Sequence, residues 1–275
     1  MAMSIFDEPK IDTHCHLLDP DHFPYAPDVS YKPAGQEIGG GAYFSHVMNT
    51  YGVHHALLVG PNSGYNLDNR CLLDAIEQSH GKFKGIIVVK NDISKEELAK
   101  YKSQGVVGVA MNVALNGVDY YANTQALLGH LADLDMFIQY QVEHDQLNQF
   151  VPMVLNAGVR VLVDHCGRPT VAEGISQAGF QAMLKLAKEG FAHVKLSGFY
   201  KFSQKGYPFL DTDAYQDAIL DVCGLEQCIW ASDWPYLKAP YRLDYGPMLK
   251  LVEQRFTLEQ RKTLFWDTPK KLFGF

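Results

Sequence analysis

The chain has 275 residues, of which 47% are hydrophobic and 20% charged, with a formal net charge of -7. That composition suits a globular protein with a large core. The acidic balance excludes the basic surface that non-specific nucleic-acid binding needs. No apolar run approaches the roughly 20 residues that span a bilayer.

The N-terminal stretch MAMSIFDEPK carries an acidic pair and no apolar h-region, so no secretory leader is read there. Five cysteines, Cys15, Cys71, Cys166, Cys223 and Cys228, occur without a CxxC pair. An odd count without such spacing points to reduced thiols and a cytoplasmic setting. By strand alternation Cys15 and Cys166 should point away from their neighbouring histidines, into packing.

Short apolar runs recur at 11–16, 54–59, 84–89, 105–111, 135–141, 159–164, 192–197 and 228–232. Helical patterns lie between them near 67–80, 94–103, 122–132, 144–157, 176–189, 210–223 and 241–257, followed by 258–273. Strands alternating with helices imply a parallel sheet, and eight such units in about 250 residues predict a single-domain (β/α)8 barrel over 1–275. An open doubly wound sheet would carry a glycine-rich phosphate loop after its first strand, and HCHLLDP is no such loop. Residues 19–45 form the longest irregular stretch, with four prolines and a triple glycine. Following strand 1, it belongs on the rim where barrel enzymes build their sites. Its aromatics Phe23, Tyr25 and Tyr31 suggest an ordered lid.

In such a barrel the strand ends converge. Strand 1, IDTHCH, delivers His14 and His16 to one side, because residues two apart in a strand share a face; Asp12 is expected there too. Strand 2 is followed by Asn62 and Ser63, and strand 4 ends at Asn112. Strand 5 offers Gln139 and Gln141. Strand 6 runs into DHCGRP with His165 and Arg168, strand 7 into SGFYK with Ser197, Tyr200 and Lys201, and strand 8 into SDWP with Asp233. Polar groups at one end of so many apolar strands need a purpose, since unsatisfied burial is costly. His46, His54, His55, His80, His130 and His193 fall at strand starts, in helices or in loops and read as structural. Trp234, in Asp-Trp-Pro, reads as packing.

The combination of HxH after strand 1, His after strand 6 and Asp after strand 8 resembles the amidohydrolase superfamily. The motifs IDTHCH, VDHCGRP, VKLSGFYK, WASDWP and WDTPKKLFGF look like the amidohydrolase 2 branch that holds pyrone-dicarboxylate and sugar lactonases. The resemblance covers nearly the whole chain. It implies hydrolysis of a small lactone, with Asp233 activating water and His14, His16 and His165 polarising the carbonyl. Ser63, Asn112, Gln141, Arg168, Tyr200 and Lys201 would hold the substrate.

Two departures narrow this. Strand 4 ends in Met111-Asn112 without the Lys or Glu that bridges two metals, and Gln141 replaces a strand-5 His. His14, His16 and Asp233, with His165 as a fourth candidate, would suit one Zn²⁺ or Mn²⁺ ion, or a site without metal, and the resemblance to pyrone-dicarboxylate lactonases favours the latter. The family's G-V-R-F-N on strand 4 reads Gly108-Val109-Ala110-Met111-Asn112 here. Arg70, Arg160, Arg168, Arg242, Arg255 and Arg261 are the only arginines. Arg168 and Lys201 are therefore the cations placed for substrate, which favours a neutral or monoanionic lactone over a dicarboxylate. The rival readings are a zinc-dependent aromatic-acid decarboxylase on this fold and a non-catalytic binding barrel. The partner expected is a small molecule, with neither nucleic acid nor membrane; self-association is left open.

Overall fold

The structure is a computed structural model that describes residues 3–275. Met1 and Ala2, part of the stretch read for a leader, lie outside the described residues.

All eight apolar runs form strands: β1 Lys10–Cys15, β2 Val53–Val59, β3 Phe83–Ile87, β4 Val106–Asn112, β5 Phe137–Gln141, β6 Arg160–Val163, β7 Ala192–Leu196 and β8 Cys228–Trp230. They follow sequence order in one eight-stranded sheet. The pairings β1–β2, β2–β3, β4–β5, β5–β6 and β6–β7 are parallel. With helices in the connections, this is the expected (β/α)8 architecture. By contacts the chain divides into two compact units, Met1–Val88 with Trp230–Phe275, and Val89–Ile229.

In the first unit, β1 and β2 bury Ile11, Ala56, Leu57 and Leu58, and the C-terminal helices add Leu249, Leu264 and Phe265. Lys10 is buried in this unit with its Nζ donating to the carbonyls of Glu8 (2.5 Å) and Tyr51 (2.9 Å). Glu8 in turn accepts both arms of the buried Arg261 fork, at 2.6 and 2.9 Å. The last helical stretch is interrupted by a π turn at Thr263–Asp267. Pro269, which lacks an N–H to donate back to Phe265, accounts for that widening.

In the second unit the strands bury Val109, Phe137, Ile138, Val161, Leu162 and Val194, and the helix Ala178–Lys188 contributes Phe180, Met183 and Leu186. The stretch 144–157 is not one helix but a 3₁₀ turn, Gln146–Gln149, then a helix, Val151–Ala157, with proline in its first turn. Pro152 has no N–H to donate, which is harmless only at a helix start.

One expectation is corrected. Residues 41–45 are not irregular: a helix runs Gly41–Thr50 and buries Phe44 and Met48. The triple glycine hides its start, yet those two apolar residues are one helical turn apart. What remains irregular is ordered. Leu18 and Gly39 form an antiparallel bridge. Ala26 N donates to Gly64 O (2.8 Å) and Gly64 N to Tyr31 O (2.9 Å), while Tyr25 stands edge-on to Tyr65. Glu37 accepts from Lys238 N at 2.7 Å. The segment is thus strapped to the turns after β2 and β8. Gly39 is required there, because a Cβ would lie 2.1 Å from the Trp234 indole. Trp234 is buried and stacks on Phe44, the packing role expected of it.

Candidate active site

In the first unit β1 carries His14, and His16 follows just beyond its end. The turn after β8 is stitched to this edge: Asp233 N donates to His14 O (2.9 Å) and His16 N to Trp234 O (2.8 Å). That pairing brings the Asp233 carboxylate to both imidazoles. His14 Nε2 and His16 Nε2 are 3.2 Å apart, and Asp233 Oδ1 lies 3.7 and 3.6 Å from them. All three residues are buried, at 1%, 8% and 1% exposure. Asp233 adopts φ 62, a left-handed conformation that aspartate tolerates better than most residues. His16 Nδ1 bonds the Val59 carbonyl at 2.8 Å. A carbonyl only accepts, so Nδ1 carries a proton and the ring turns Nε2 towards the cluster.

Asp12 does not face this space, contrary to the alternation argument. Its Oδ1 accepts from Ser232 N (2.9 Å) and His14 N (3.2 Å), and its Oδ2 from Ser232 Oγ (2.5 Å) and Tyr245 OH (2.8 Å). Four donors fill the carboxylate, which clamps the end of β1 to the turn after β8. Full burial drives its carboxyl above the ordinary range, against the pull of the Ser232 bonds. Ser63 lies half-buried in the turn after β2. Cys15 is buried with its Sγ near the Leu57 carbonyl, on the packing side as expected.

The remaining expected residues belong to the second unit. After β6, four successive residues are left-handed: His165 (φ 52), Cys166 (57), Gly167 (73) and Arg168 (44). Such a run in non-glycine residues is strained, and strain of this kind gathers at functional sites. His165 is buried, with Nδ1 3.0 Å from Ser197 Oγ. Gly198 makes room for it, since a Cβ there would lie 2.4 Å from His165 Nδ1. Arg168 Nη2 donates to Glu143 Oε2 at 2.9 Å. Asn112 caps the short helix Val113–Asn116 by accepting from Leu115 N at 3.1 Å. Gln141 is half-buried at the end of β5. Tyr200 is buried in the turn Phe199–Lys201, and the Lys201 ammonium sits 4.9 Å over its ring.

A second buried network was not anticipated. Lys195 Nζ lies 3.1 Å from Asp164 Oδ1 and donates to Gln139 Oε1 at 2.6 Å, while Gln139 Nε2 donates to Asp164 Oδ2 at 2.9 Å. This closed triangle sits directly before His165 in the chain. The one signal in the sequence was Lys195 itself, a charge inside the apolar strand AHVKL. A buried charge must be paired, and only packing shows with what.

The first-unit donors suit a single divalent cation. Two imidazoles and a carboxylate, 3.2–3.7 Å apart, match the spacing of about 3.3 Å that tetrahedral ligands at 2.0–2.1 Å subtend. Three protein ligands leave an open position, the catalytic pattern. The His16–Val59 bond is the kind of support that orients a ligating imidazole.

A family model described as "Amidohydrolase" matches residues 11–275. The chain belongs to the amidohydrolase family. It is 28% identical over 272 residues to a 4-sulfomuconolactone hydrolase of Rhizobium radiobacter, covering 96% of this chain and 89% of that one. It is 27% identical over 276 residues to a 2-pyrone-4,6-dicarboxylate hydrolase of Comamonas testosteroni, with the same coverages. Among solved structures it superposes on a probable 2-pyrone-4,6-dicarboxylic acid hydrolase of Acinetobacter baumannii with citric acid bound, at a TM-score of 0.83 and 26% identity over 97% of this chain and 99% of that one.

Proposed function

We propose that this amidohydrolase opens a small lactone by hydrolysis. The observation that carries the reading is the buried His14–His16–Asp233 cluster in a chain whose full-length relatives are lactone and pyrone hydrolases. In this reading the Asp233 carboxylate takes a proton from water as its oxygen adds to the ring carbonyl. His14 and His16 stabilise the oxyanion of the tetrahedral intermediate, as Nε2–H donors or by holding a divalent ion that would supply the positive charge. Asp233 then returns the proton to the ring oxygen as the C–O bond breaks, leaving a hydroxy acid. His165, braced by Ser197 and Gly198, is assigned a further polarising role. Ser63, Asn112, Gln141, Arg168, Tyr200 and Lys201 are assigned to substrate.

The donor spacing supports one Zn²⁺ or Mn²⁺ held by His14, His16 and Asp233, against the metal-free expectation drawn from resemblance. When bound, such an ion supplies Lewis-acid polarisation and a more acidic water. The scarcity of cations supports a neutral or monoanionic lactone. The family match, running from residue 11 to 275, supports one functional domain. The five cysteines form no disulfide among the described residues, which supports a reducing, cytoplasmic setting. No described helix is long and apolar enough to cross a membrane.

The test is a pH-indicator screen of aldonolactones and carboxylated lactones, with and without chelator. Acid release from a lactone supports the reading, and its dependence on metal decides the cofactor. Release of CO₂ from an aromatic acid, with no lactone opened, would replace it with the decarboxylase reading.

A further inference from the structure

We propose that Glu143 is a specificity-determining residue: by pairing with Arg168 it makes the site favour an uncharged, hydroxylated lactone over a carboxylated one. The proposal rests on the lactone-hydrolase reading above and names its substrate class.

Arg168 and Glu143 lie on the turns that follow β6 and β5, at the strand ends where barrels of this type bind ligands. Their side chains are 19% and 30% exposed and meet at 2.9 Å. The two turns are also joined through the backbone. His144 N donates to Arg168 O at 3.3 Å, and Arg168 N to His165 O at 3.0 Å. The Arg168 backbone is left-handed, at φ 44. Its guanidinium, three residues beyond His165, already faces a carboxylate.

A guanidinium has five N–H donors in a planar fork. The Glu143 contact uses Nη2, and Nε is buried without a hydrogen-bond partner. The group can still donate to a neutral oxygen, a ring hydroxyl or carbonyl, and such an oxygen would satisfy Nε. An incoming carboxylate would meet the Glu143 charge beside the same guanidinium, in a partly desolvated place where like charges repel strongly. It would have to displace Glu143 or share the arginine with it. The other cation on this side, Lys201, rests over the Tyr200 ring. Ala110 and Asn112, the half-buried residues that end β4, add no positive charge.

The test is Glu143→Gln, which keeps the size and an acceptor oxygen but removes the charge. The readout is the ratio of kcat/KM for 2-pyrone-4,6-dicarboxylate to that for a neutral aldonolactone. The expected result is a shift of about tenfold or more towards the dicarboxylate. The shift should vanish in Glu143→Gln/Arg168→Gln. A ratio unchanged within twofold, or an equal loss on both substrates, would overturn the proposal and leave Glu143 a structural brace. If the Gln variant melts early, Glu143→Ser serves the same comparison. If the wild type opens no lactone, the functional reading has failed, and calorimetric titration with citrate still decides this point. Tighter citrate binding by Glu143→Gln than by wild type, lost in the double variant, supports the charge role; equal affinity refutes it.

Discussion

His16 commits its Nδ1 proton to the Val59 carbonyl, 2.8 Å away, and so turns Nε2 towards His14 and Asp233. One backbone acceptor at the end of β2 thereby orients a side chain just beyond the end of β1. Replacing His16 by Asn removes that directed nitrogen while keeping a polar side chain. The expected outcome is a fall in kcat of about 10²–10³ with a smaller change in KM. Steady-state kinetics on the lactone found in the screen checks it. A Zn²⁺ titration by calorimetry, weakened about tenfold or more, checks the same residue without turnover.

Asp233→Asn should abolish turnover and leave the fold intact. Asparagine tolerates the left-handed backbone at φ 62 as aspartate does, so the turn that carries it need not move. The amide cannot take a proton from water. Far-UV circular dichroism and the melting temperature should match the wild type. Retained activity would remove Asp233 from the role of base.

Lys195→Met should be strongly destabilising, by about 3–5 kcal/mol, because it leaves Asp164 buried beside a lost cation. Adding Asp164→Asn should recover part of that loss, since the uncompensated charge goes with it. Urea unfolding of the single and double variants measures both. Additive losses would show that the two residues do not act as a pair.

Lys10 gives a pH prediction. Burial lowers its ammonium from 10.5 to about 8, partly offset by the attraction of Glu8. Between about pH 8 and the unfolded value near 10.4, the unfolded chain binds more protons than the folded one, so this group's contribution to stability rises with pH across that window and is flat below it. Lys10→Met should remove that rise. The comparison of denaturation midpoints at pH 7.5 and 9.5, wild type against variant, reads it; parallel curves would contradict it.

Much of this molecule is legible from local pattern. Alternating apolar runs and helical stretches mark all eight strands, and the period of two puts His14 and His16 on one side with Cys15 opposite. Asp233 could be nominated from its place after the last strand. These features depend on spacing along the chain, which the chain itself displays. Two local readings needed correction because their signals were masked: glycines hid the helix Gly41–Thr50, and Pro152 starts a new helix inside the stretch 144–157.

Tertiary structure decided which polar groups find each other. Asp12 and Asp233 lie equally close to the histidines by simple reading, yet Asp12 is saturated by Ser232, 220 positions away, and by Tyr245, 233 away, while Asp233 meets both imidazoles. Lys195 of β7, Gln139 of β5 and Asp164 just after β6 close a triangle, and Glu143 claims the charge of Arg168. Hydrogen bonds and ion pairs act over about 3 Å in space, and their partners come from distant segments. Periodicity tells which way a side chain points, but only the packed fold sets what it meets.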